Sequence, residues 1–404
     1  MTSVRSSMVF SLESDFGEGK GSGYEWIAPP PGTYFEHTES RNTTRVQSAG
    51  TKVWDTVAYG NLNGTWTWHF VLDYNYLEPL FLIFEGTAPA AGTPITVGGV
   101  TSYKYDFTKV DYARVPSFCV RRVILNRMAG GLRSSPGGLD EILYLKGCII
   151  ENVTFSRASG QSQMTVDMSG FYVDSQMEKG ELGRTDYQPY AGNLTEYTCL
   201  FIGDANDDDI QDLDEDDYVA NTETLSFTIN NSAEAIFNVC TPFAKEYSEG
   251  LSKYSFSTTA YSNDPSHYQQ RVFSGGYSNT ALKPMRKGLA PIPYMYILAY
   301  DQEINTEHPT HLAAYNASPK RVGITIKSCV IRSLPWKSGD SEKLQDVISS
   351  TECKQILMEC VSPSADFSFT SSDTNAIAPE NMAIFSTPSS SEENEGSDDG
   401  EGNQ

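Results

Sequence analysis

Along Gln161–Val173 apolar and polar residues alternate, with Met164, Val166 and Met168 on one face and Thr165, Asp167 and Ser169 on the other. A period of two marks a strand with one face buried. Ala158-Ser-Gly160 supplies a turn, so this strand pairs as a hairpin with the preceding run Ile142–Ser156. Runs rich in β-branched and aromatic residues predict further strands at Thr65–Leu72, Pro116–Leu125, Lys253–Ala260, Pro293–Tyr300 and Val322–Leu334. Short helices are predicted at Tyr76–Phe84 and Ser266–Phe273, stopping at Gly86 and Gly275. A third is predicted over Glu342–Glu359 from Leu344, Val347, Ile348, Ile356 and Leu357. The pattern as a whole is mainly β with few helices.

Four landmarks recur in the same order. GTWTWHF at 64–70 is echoed by GLSKYSF at 250–256, and FEG at 84–86 by FSG at 273–275. VPSFCV at 115–120 is echoed by IPYMYI at 292–297, and KGCII at 146–150 by KSCVI at 327–331. Their spacing, roughly 180 residues each time, predicts a tandem duplication. The resulting division is an arm at 1–50, domains at 51–190 and 195–335, an extension at 336–386 and a disordered acidic tail at 387–404. The tail is rich in Ser, Glu, Asp and Gly and offers almost nothing to bury.

Charge changes this picture locally. The net charge is −23, but residues 204–217 carry nine carboxylates and residues 380–404 carry seven, with no Lys or Arg in either stretch. The rest of the chain is close to balanced, and no basic stripe that would grip nucleic acid appears. No apolar run is long enough to cross a bilayer as a helix, so no membrane segment is expected. The seven cysteines form no CxxC pair, and Met8-Val-Phe10 is too short for a secretory core. Reduced, buried thiols are expected.

The acidic run resembles a Ca²⁺ loop, with oxygen ligands at Asp204, Asn206, Asp208, Asp212 and Glu215. Asp209 stands where the sharp turn calls for Gly, and Ile210 comes one place early. The plainer reading is a solvated loop with no cofactor. His308 and His311 are separated by Pro309, which breaks helical ligand spacing and favours a surface loop. No nucleophile elbow or other catalytic constellation is recognisable, and no enzyme is expected.

The segment YLKGCIIENVTFSRASGQSQMTVDMSGFYVD at 144–174 resembles the tail tube (major tail) proteins of long-tailed bacterial and archaeal viruses. Gly147, Cys148, Gly160 and Gly170 match a Gly-Cys step, a Gly turn and a terminal Gly in that family's strands. Asn63-Gly64, Leu82–Gly86, Pro116-Ser-Phe and LSFTINN at 225–231 are similar to its other landmarks. The resemblance implies tandem β-sandwich or barrel domains whose projecting hairpins build an inner barrel on assembly.

It implies further that the chain self-assembles into stacked rings that conduct DNA during genome ejection. Two domains per chain imply a homotrimeric ring with pseudo-sixfold symmetry, with a homohexamer as the alternative. Other implied partners are tail terminator and tail tip or baseplate proteins, with DNA passing through unbound. The implied location is the virion tail, after synthesis in the host cytoplasm. A competing reading is a Ca²⁺-dependent carbohydrate-binding or adhesive β-protein of a virion, which exposed tryptophans would serve. A hydrolase carrying its carboxylates on a β scaffold is a third.

Overall fold

In the computed structural model the described residues are 8–21, 26–27, 29–30, 32–46, 56–72, 93–97, 99–108, 115–125, 140–161, 163–180, 197–203, 206–219, 222–238, 243–262, 291–333, 336–338 and 354–371. They are mainly β, as the alternation predicts. The first half holds β1 (Met8–Leu12), β2 (Tyr34–Val46), β3 (Thr56–Val71), β4 (Thr93–Val97), β5 (Val100–Thr108), β6 (Phe118–Leu125), β7 (Asp140–Arg157), β8 (Thr165–Tyr172) and β9 (Asp174–Gly180). The second half holds β10 (Tyr197–Gly203), β11 (Thr222–Asn230), β12 (Glu234–Phe237), β13 (Ala244–Ser248), β14 (Lys253–Ser262) and β15 (Ile292–Tyr300). It continues through helix α1 (His311–Ala317) to β16 (Arg321–Ser333), β17 (Trp336–Ser338), β18 (Lys354–Ser362) and β19 (Ser364–Ser371).

Both halves follow one antiparallel pairing plan. In the first, β1 pairs β6, β6 pairs β7, and β7 pairs both β9 and β8; β8 then pairs β3, and β3 pairs β2. In the second, in the same chain order, β10 pairs β15, β15 pairs β16, and β16 pairs both β19 and β18; β18 then pairs β14, and β14 pairs β11.

The long strand of each half serves two sheets and changes sheet at one kink. β7 pairs β9 up to Lys146 and β8 from Ile149; β16 pairs β19 up to Lys327 and β18 from Val330. Between them lie Gly147 at φ 60° and Ser328 at φ 53°, both left-handed. That conformation is free for glycine and costs about 1 kcal/mol or more for serine. A β-bulge follows at the same distance in both, between Ile150 and Asn152 and between Ile331 and Ser333. The Lys-Gly-Cys and Lys-Ser-Cys landmarks therefore mark the point of crossing.

The strand register corrects two landmarks: Phe118 lies opposite Cys148 and Ile292 opposite Cys329, so Phe118 corresponds to Ile292 rather than to Met295. Gly64 lies opposite Tyr172, and the corresponding pair in the second half is Tyr254 with Ser362. Gly64 thus corresponds to Tyr254, four residues beyond the Gly250 chosen from the sequence.

Strands β2, β3, β8, β7, β11, β14 and β18, with the end of β16 continued by β17, form one eight-stranded sheet through both halves. β1-β6-β7-β9 covers it in the first half, and β10-β15-β16-β19-β5-β4 in the second. Between these layers Phe10 meets Trp68 at 5.1 Å and Trp66 meets Phe118 at 5.3 Å, both edge to face. In the second half Phe227 and Phe367 also meet between the layers, at 6.0 Å. Each such ring withdrawn from water contributes about 1.5–3 kcal/mol.

Strands also come from stretches set apart in the sequence reading. β1, in the expected arm, is buried along its whole length. β18 and β19, in the expected extension, pair with β14 and β16. β18 occupies 354–359 of the expected Glu342–Glu359 helix, and the remainder of that helix lies outside the described residues. Here Met358 and Cys360 are buried with Glu359 exposed between them, a strand period. The helices expected at Tyr76–Phe84 and Ser266–Phe273, the FEG and FSG landmarks and the 387–404 tail also lie outside the described residues. Among the described residues no helix is long and apolar enough to cross a membrane.

Candidate functional site

Among the described residues, the extended surface shared by both halves is the open face of the eight-stranded sheet. Alternation builds it: most large apolar residues turn to the core and most polar ones outward, Tyr34 being an outward-facing exception. On β3, Trp66, Trp68 and Phe70 are buried while Thr65 and Thr67 are exposed. On β14, Tyr254 and Phe256 are buried while Ser255 and Ser257 are exposed.

Cross-strand register lines these outward residues into rows. One runs Tyr34, His69, Asp167, Thr154, Thr228, Ser255 and Val361. The next runs Glu36, Thr67, Ser169, Asn152, Asn230 and Lys253. A third runs Val71, Thr165, Ser156, Ser226, Ser257 and Glu359.

Hydroxyls and amides bond sideways along these rows. Thr154 Oγ1 lies 2.9 Å from Thr228 Oγ1, and Ser156 Oγ lies 3.0 Å from Thr165 Oγ1. Asn230 Nδ2 donates to Asn152 Oδ1 at 2.6 Å. His69 Nδ1 and Asp167 Oδ1 are 2.6 Å apart, and both side chains are about half exposed. The charged positions of the rows are Glu36, Asp167, Lys253 and Glu359, three acidic against one basic, so the rows are net acidic. A shallow depression of about 170 Å³ opens on this surface, lined by Ser226, Ser255, Ser257 and Glu359 together with Phe256 and Val361.

Within the acidic loop several carboxylates accept from backbone N–H groups. Asp209 caps a 3₁₀ turn at Ile210–Asp212, accepting from Gln211 N at 3.2 Å, while Asp212 Oδ2 accepts from Asp209 N at 3.3 Å. Glu215 Oε1 accepts from Leu312 N at 3.3 Å. Of the five candidate ligands, Asp212 and Glu215 thus reach different backbone groups, Asn206 and Asp208 are exposed, and Asp204 lies outside the described residues. Among the described residues no group of three or more His, Cys, Asp or Glu is placed to hold a metal.

One cluster escaped the sequence reading. Cys199 Sγ lies 3.0 Å from His311 Nδ1, which is 2.7 Å from Tyr300 Oη. Burial pushes the Cys199 thiol up to about 12 and holds the His311 imidazole below its ordinary value. A thiol so raised is protonated at neutral pH, the opposite of an activated nucleophile. The residues are 112 apart in the chain and belong to no motif. Cys119, Cys148, Cys329 and Cys360 are likewise free and buried, whereas Cys240 and Cys353 lie outside the described residues.

Trp66 and Trp68 are each 1% exposed, so neither offers a face on which a sugar could stack. In comparisons with known proteins, no family model and no curated protein matches the chain.

Proposed function

We propose that the chain is a structural subunit of a viral tail tube, that it self-assembles without enzymatic activity, and that three copies close into a ring of six equivalent halves. Stacked rings would form a conduit for DNA, capped by terminator and tip proteins. What supports this reading most is the open sheet face: one continuous, hydroxyl-rich surface that runs unbroken through two halves built on one pairing plan. A single binding or catalytic site gives no reason to repeat a whole sandwich, whereas ring closure does.

The dimensions fit. Three eight-stranded sheets supply twenty-four strands, which at about 4.8 Å spacing and a tilt near 40° close into a barrel roughly 50 Å across. That leaves room for a DNA duplex inside the side chains. A wall of Ser, Thr and Asn with a net acidic charge would not hold phosphates, whereas a cationic wall would. Negative-stain microscopy of the concentrated protein tests the reading. Hollow rings or tubes are expected, and compact monomers alone at high concentration would contradict it.

A further inference from the structure

The two halves meet at two strand pairs, β19 with β5 in the covering layer and β7 with β11 in the eight-stranded sheet. Residues Asn152–Arg157 of β7 pair with Leu225–Asn230 of β11, and β7 keeps β8 on its other side. Under the shared pairing plan the counterpart of β7 is β16 continued by β17, and the counterpart of β11 is β2. These two counterparts sit at opposite edges of the same sheet. Among the described residues β2 pairs only with β3, and Ser333 and β17 pair only with β18. Among the described residues the β7–β11 junction thus occurs once, joined, and once again as two separate edges. An unpaired edge carries a row of N–H and C=O groups ready for another strand.

We infer that the edge formed by Ser333 and β17 pairs antiparallel with β2 of a second copy, in the register of the internal junction. Asn152 opposite Asn230 translates to Ser333 opposite Ser40, and Phe155 opposite Phe227 to Trp336 opposite His37. Ser156 opposite Ser226 translates to Lys337 opposite Glu36, which sets a basic position against an acidic one. The contact is head to tail, so it propagates until a ring closes. It rests on the ring-forming reading above for the number of copies, while the register comes from the internal junction alone.

Ser40→Cys and Ser333→Cys, placed on separate chains, mixed and oxidised, test it. The mixture is expected to give a disulfide-linked dimer absent from either variant alone, and a chain carrying both is expected to give a ladder ending at three. Ser40→Cys mixed with Ser338→Cys, out of register, should link poorly. Independently, Glu36→Lys should weaken self-association about fivefold, and adding Lys337→Glu should restore it. Rings without the in-register link would overturn the edge pairing and leave the tube reading standing. The link without rings or tubes would uphold the pairing and overturn the tube reading. Neither link nor assembly would overturn both.

Discussion

Asn230 donates its side-chain amide to the amide oxygen of Asn152 at 2.6 Å, across the β7–β11 pair, one of the two strand pairs that join the halves. Along the same pair Thr154 faces Thr228, Phe155 faces Phe227 and Ser156 faces Ser226. Like sits opposite like, hydroxyls and amides on the open face and rings in the core. Phe155 also lies 6.1 Å from Phe367, so it belongs to the second half's core as much as to the first.

Phe155→Ala is expected to cost about 3–5 kcal/mol in denaturant unfolding, as is Phe227→Ala. The double variant should depart from additivity by at least about 0.5 kcal/mol, because the rings are cross-strand partners. Additive losses would mean that the halves are independent at this seam.

Gly64 and Tyr172 are cross-strand partners, with the Tyr172 ring lying over the glycine: an added Cβ would come within 2.4 Å of it. In the second half the corresponding partners are Tyr254 and Ser362, so large and small have changed strands. Gly64→Tyr should therefore destabilise the first half by about 2 kcal/mol or more, and Tyr172→Ser should recover much of that loss. A thermal melt of the single and double variants checks it.

Ser328→Gly should raise stability by about 0.5–1 kcal/mol, since it relieves the left-handed backbone of the second kink. Gly147→Ala should do the reverse, because its Cβ would lie 1.9 Å from Val173 Cγ2. Chemical denaturation of both variants tests the pair, with opposite signs expected.

Glu13 holds the first kink in place, accepting from Gly147 N at 2.9 Å and from Gly17 N and Gly19 N at 3.0 Å each. Burial nonetheless raises its carboxyl above 4.5. A raised acid contributes stability that is full below 4.5 and lost as pH climbs through the folded value. His311, lowered from 6.5 by burial, acts oppositely: its contribution is present above 6.5 and lost as pH falls below it. Stability profiles from pH 4 to 8 should lose the first slope in Glu13→Gln and the second in His311→Gln.

Much of the strand pattern was legible in the sequence because each half-buried strand alternates, as Gln161–Val173 does. The repeated Lys-Gly-Cys and Lys-Ser-Cys steps were legible too, and they proved to be the kinks. β1 was not, because burial on both faces removes the alternation a strand reader looks for. β18 was misread because Ile356 and Leu357 continue a helical spacing begun at Leu344, and only pairing with β14 decides the period. The open face was visible strand by strand, but its rows depend on register between strands far apart in the chain. The Cys199–His311 contact left no local signal at all.

A cryo-electron microscopy map of the assembled particle tests the central claim most directly. The expected map shows three chains per ring and a continuous inner barrel of twenty-four strands. Thr154 and Thr228 should face the lumen, with Trp66 and Trp68 packed behind them. A ring with these hydroxyl rows on its outer surface, or an assembly without a continuous inner barrel, would contradict it.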